Sequence, residues 1–128
     1  MEDIKSTSDI VRLVNTFYLT VQNDDLIGPI FNKVIEGRWD AHLEKMYGFW
    51  ETVLLGNSSY FGRPFPPHLK LGIEQSHFDR WLLLWRQSVK TLFVGDKADE
   101  AIWRGEKMAV MFLSKIDYYK SGNARPVI

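Results

Sequence analysis

Apolar residues recur at intervals of three and four along most of the chain, and each run is closed by glycine, asparagine or aspartate, so the sequence reads as a succession of helices. Ile10, Leu13, Val14, Phe17, Tyr18 and Val21 form the first stripe, with Ser6 or Ser8 as its N-cap and Asn23, Asp24 and Asp25 as its end. Gly28, Pro29, Ile30, Phe31 and Asn32 read as a turn leading into a short helical piece, with Phe31 plugging the core. Past the break at Gly37, a helix from Arg38 to about Leu55 places Trp39, His42, Met46, Phe49, Trp50, Val53 and Leu54 on one face, while Glu44 and Lys45 face away.

Gly56 to Gly62 is a loop by composition, and it delivers the chain to Pro64, Phe65, Pro66, Pro67 and His68. Consecutive prolines fix φ and remove two donors, which suits an extended approach to the first turn of a short helix and holds His68 rigidly. Leu69, Leu71 and the breaker Gly72 follow. Ser76 then offers an N-cap with Asp79 three residues on, ahead of a stripe of Phe78, Trp81, Leu82, Trp85, Val89, Leu92 and Phe93. His77 reads as a surface residue that nothing pairs with. Gly95 and Asp96 separate this helix from the last, where Asp96 caps and Asp99 and Glu100 complement the helix dipole. Its stripe runs through Ala101, Ile102, Met108, Ala109, Phe112, Leu113, Ile116 and Tyr119, with Met108 and Met111 as core filler. Ser121, Gly122 and Asn123 stop it, and the tail from Ala124 to Ile128 is frayed. No strand pattern survives, so the expectation is an all-α fold whose last two helices are antiparallel neighbours across a short connection.

Composition narrows the classes. A length of 128 residues suits one domain with a real core, and residues 1–128 read as a single unit without repeat or linker. Sixteen basic and sixteen acidic residues leave no field to attract nucleic acid or anionic lipid. With no cysteine there are no disulfides, thiolate metal sites, iron–sulfur clusters or thiol catalysis, which points to a reducing compartment. Neither a basic-then-apolar leader nor a run of about 18 apolar residues is present, and a soluble cytoplasmic protein is expected. Five Trp and eight Phe in so short a chain call for a cavity wall or an interface.

The residues alone leave two histidines with two readings each. His68 is a turn residue at the surface, or it presents a ring nitrogen to a flat apolar cofactor beside the aromatics that follow. His42, inside an apolar stripe, is a core histidine bonded to a backbone carbonyl unless a pocket lies beside it. Tyr18 reads as a packed ring whose hydroxyl reaches water at the edge, unless a polar ligand enters.

Taken together, the pair Phe17 and Tyr18, the turn Gly28 to Phe31, the run Trp39 to His42, then Phe49, Trp50 and Leu54 to Gly56, and finally His68 followed by Phe78 and Trp81, resemble the truncated haemoglobins, and among them the bacterial third group. The resemblance spans about Ile10 to Tyr119, and the isolated Gly37 and Gly56, in place of glycine pairs, set the chain apart from the other groups. It implies a truncated globin-like two-over-two helical sandwich of the family's B, E, G and H helices, with haem b between the E helix and the short F segment. It also implies His68 as proximal iron ligand, and Tyr18, His42 and Trp81 on the distal side. The cofactor-binding set it implies is Phe17, Phe31, Lys45, Met46, Phe49, Arg63, Leu71 and Phe78, with Lys45 and Arg63 placed for the propionates. Tyr18 and Trp81 can each donate a hydrogen bond to a bound gas, whereas His42 stays open between gate, donor and iron ligand. The function implied is reversible binding of dioxygen, carbon monoxide and nitric oxide, in oxygen delivery or nitric oxide detoxification, with an external reductase for turnover. A peroxidase-like haem enzyme and a haem-free helical interaction module are the two alternatives.

Overall fold

The computed structural model describes residues 1–56 and 72–120, and among them the chain forms five helices and no strand. They are α1 (Thr7–Gln22), α2 (Gly28–Ile35), α3 (Trp39–Leu55), α4 (Gln75–Leu92) and α5 (Asp96–Lys120). Ser6 is the cap of α1: its Oγ accepts from Asp9 N at 3.4 Å while Asp9 Oδ2 accepts from Ser6 N at 3.3 Å, so two end donors are satisfied reciprocally.

The stripes pack the helices in two crossed pairs. α1 lies on α3, α4 on α5, and the pairs meet through α1 against α4 and α3 against α5. Ile10, Leu13, Val14, Phe17 and Val21 are all fully buried, so α1 is the spine of the core. Each such side chain contributes about 1.5–3 kcal/mol on burial, well above the tenths of a kilocalorie that separate helix propensities, and packing therefore holds α1 in place. α4 and α5 run antiparallel: Trp85 Nε1 donates to Ala101 O at 2.9 Å, Arg86 pairs with Glu106, and Phe78 shares a cluster with Phe112 and Ile116 further along.

Several expectations need correction. Ser76 is inside α4, and the cap is Glu74, whose backbone N donates to His77 Nδ1 at 2.9 Å. His77 is thus paired, and Asp79 instead accepts from Gln75 Nε2 at 2.8 Å. Phe93 is buried, but as an extended residue beyond the end of α4. On α5, Met111 is 42% exposed and Tyr119 39%, so neither is core. The stripe also omits two buried positions of α4, Leu84 and Ser88. The loop after Gly56, the proline run with Arg63, His68 and Leu71, and the stop at Ser121 to Asn123 lie outside the described residues.

Candidate functional site

Three helices deliver one aromatic cluster. Tyr18 comes from the penultimate turn of α1, with its ring edge-on to Phe17 at 4.9 Å between centroids. From α3, Trp39 and His42 are three residues apart and so share a face, and both rings meet Tyr18, at 5.9 and 5.1 Å respectively. They also meet each other at 5.8 Å. Phe31 of α2 closes another side of Tyr18 at 6.2 Å. Edge-to-face pairs of this kind add about 0.5–1.5 kcal/mol each beyond burial, enough to fix ring orientation.

On the far side of Phe17 stands α4. Trp81 is edge-on to Phe17 at 5.5 Å and Trp85 at 5.0 Å. Trp50, Trp85 and Trp81 form a stack, with centroid separations of 4.4 and 6.0 Å and interplanar angles of 22° and 13°. The stack is possible because α5 approaches at Gly105, where a Cβ would lie 2.7 Å from Trp85 Cδ1.

Electrostatically the site is a dry one. Burial raises the Tyr18 phenol well above its ordinary value, with no other cause contributing. The phenol therefore stays a neutral donor over the whole physiological range. A buried neutral donor, an imidazole and an indole, walled by aromatic rings from four helices, fit what a flat apolar cofactor carrying a small polar ligand requires.

The structure thus brings together Phe17, Tyr18, Phe31, His42 and Trp81. Met46 and Phe49 are half-buried against the same core, and Phe49 meets Trp50 edge-on at 5.2 Å. Lys45 is exposed. Phe78 sits instead in a second apolar cluster with Ile73, Ala109, Phe112 and Ile116. His68, Arg63 and Leu71 fall outside the described residues. Trp39 is the residue missing from the site set, and its place one helical turn before His42 was the signal for it.

No helix among the described residues is long and apolar enough to cross a membrane. The chain is 32% identical over 117 residues to the group 3 truncated hemoglobin ctb of Campylobacter jejuni, an alignment that covers 88% of this chain and 91% of that one. The crystal structure of group III truncated hemoglobin from Campylobacter jejuni matches with a TM-score of 0.83 and 30% sequence identity, over 91% of this chain and 95% of that chain. The fold is accordingly the truncated-globin two-over-two sandwich. A model of the bacterial-like globin family matches residues 1–113. With that match spanning most of its length, the chain belongs to the bacterial-like globins, and membership implies a haem cofactor.

Proposed function

We propose that this protein reversibly binds dioxygen and other diatomic gases at a non-covalently held haem b. When bound, haem would supply an iron able to take up a diatomic gas. His68 is the proposed proximal ligand, on the sequence resemblance to the truncated haemoglobins. A chain without cysteine has no thioether attachment to offer, so the cofactor is held by ligation and packing alone. Tyr18, His42 and Trp81 form the distal side, and Phe17, Phe31, Trp39, Met46 and Phe49 wall it.

The observation that carries this reading is the buried Tyr18 phenol set 5.1 Å from the His42 ring. A donor that burial keeps protonated is ready to hydrogen-bond the outer atom of a bound gas, and the rings around it exclude the water that would compete. Turnover of nitric oxide to nitrate would draw electrons from a separate reductase.

Haemin titration of the haem-free protein, followed by tryptophan fluorescence, tests the reading. Trp39, Trp50, Trp81 and Trp85 all lie in or beside the cluster, so the signal is expected to quench to an endpoint at one haemin per chain. Fluorescence that declines without an endpoint would favour a haem-free interaction module.

A further inference from the structure

The carboxylate of Asp24 is almost fully inaccessible, at 2% side-chain exposure. Oδ2 accepts from Leu26 N and Ile27 N, both at 3.0 Å, and the Asp24 carbonyl accepts from Gly28 N at 3.0 Å. These bonds fold the turn between α1 and α2. Oδ1 is spent differently: it accepts from Arg80 Nε at 2.6 Å, across 56 residues of sequence.

We infer that Asp24 and Arg80 are a positioning pair for the gas-binding side of the pocket, one that sets Trp81 against Phe17 and Tyr18. The inference rests on the pocket reading above. Arg80 is the residue before Trp81, and Asp24 lies six residues past Tyr18 and seven before Phe31. One carboxylate thus ties the ring that α4 contributes to the two rings that α1 and α2 contribute. Only the carboxylate of this ion pair is buried, and a half-exposed guanidinium makes such a pair a poor way to add stability. Its geometric demands are strict, however, and a charged hydrogen bond fixes both rotation and height of α4 at the turn that carries Trp81. The other constraints on Trp81 are apolar: the edge of Phe17, the Trp85 ring one turn on, and the close approach of Gly105 on α5. Without Arg80, ring packing against Phe17 and Trp85 remains, but no polar contact fixes the height of α4 at Trp81.

The test uses the ferrous haem protein with Arg80→Met, made in the parent and in Trp81→Phe. The Arg80 side chain is 42% exposed, which leaves room for either replacement, and Arg80→Gln is used under the same criteria should the methionine variant fail to fold. Two quantities are read: the dioxygen dissociation rate, and the indole N–H resonance of Trp81 in the carbon monoxide form, assigned by its loss in Trp81→Phe. Arg80→Met is expected to shift that resonance and to speed dissociation about fivefold, the equivalent of one hydrogen bond, with no further effect once Trp81 is phenylalanine. An unmoved resonance, or an equal rate effect in both backgrounds, overturns the positioning role. If Trp81→Phe itself leaves the rate unchanged, the pocket reading fails, and the resonance alone decides between a pair that positions Trp81 and one that does not.

Discussion

The His42 imidazole stands edge-on to the Tyr18 phenol, with planes at 89° and centroids 5.1 Å apart, so a histidine of α3 and a tyrosine of α1 share one small volume. Tyr18→Phe keeps the ring and its four aromatic neighbours while removing the donor. The expected outcome is dioxygen dissociation faster by about fivefold, for a hydrogen bond of about 1 kcal/mol, in a fold of unchanged stability at neutral pH. Stopped-flow displacement by carbon monoxide measures it, and an unchanged rate removes Tyr18 from the gas-binding role.

The same phenol predicts a response to alkali. Burial holds its folded-state pKa above the ordinary value of 10.0, so the unfolded chain releases this proton first. The contribution of Tyr18 to stability is therefore complete below about pH 10 and falls as pH rises beyond it. Urea midpoints measured from pH 8 to 11 should decline less steeply for Tyr18→Phe than for the parent. Equal slopes would mean that the phenol is ionised in the folded state as readily as in water.

Trp85 leaves no room for a side chain at Gly105. A methyl there would lie 2.7 Å from Trp85 Cδ1, 3.0 Å from its Nε1 and 3.4 Å from Trp81 Cζ3. Gly105→Ala is expected to lose about 1–3 kcal/mol despite the better helix propensity of alanine, because overpacking outweighs it. The hydrogen bond from Trp85 Nε1 to Ala101 O should weaken as the ring shifts. Urea unfolding gives the first quantity and the near-ultraviolet circular dichroism of the stacked indoles the second.

Asp3 clasps the N-terminal segment to the start of α5, accepting from Lys97 N and Ala98 N, each at 2.9 Å. Gly95, at φ +136°, leaves the space this carboxylate occupies, since a Cβ there would lie 2.5 Å from Asp3 Cγ. Asp3→Ala should cost about 1–2 kcal/mol, as loss of a helix cap does. Burial alone would raise the Asp3 carboxyl, but the N–H donors of Lys97, Ala98 and Ile4 outweigh it and hold the group below its ordinary value. Asp24 behaves likewise, with Ile27 N, Arg80 and Leu26 N overcoming its burial. For a depressed carboxyl, stability is present above the ordinary value of 3.8 and lost as pH falls through the lower folded-state value. Thermal unfolding between pH 5 and 2 should therefore show a smaller acid loss in Asp3→Ala than in the parent.

Much of the fold and part of the site are legible in the sequence. The stripes of α1 and α3 placed Tyr18 and His42 on inward faces, and the order of aromatics resembled a truncated globin because each sits on the turn that packs it. The ends of elements were not legible in the same way. Sequence preference points to Ser76 as the cap, yet the helix begins after Glu74, where an imidazole nitrogen of His77 accepts from Glu74 N. Met111 and Tyr119 continue the apolar run of α5 without being buried: Met111 lies between the buried Ala109 and Phe112, on the side of the helix that turns away from that cluster. The Asp24 to Arg80 pair joins residues too far apart for any local pattern to reveal. Gly105 carried a signal of its own, an isolated glycine inside a helical run, which only the position of Trp85 explains.

The most direct test is the optical spectrum of the purified protein, oxidised, reduced, and reduced under carbon monoxide, for the parent and for His68→Ala. A Soret band that shifts sharply with carbon monoxide in the parent, and a variant that loses haem or its histidine-ligated spectrum, is the predicted result. A parent that stays colourless after haemin reconstitution, or a variant whose spectra match the parent's, would contradict haem and gas binding at His68.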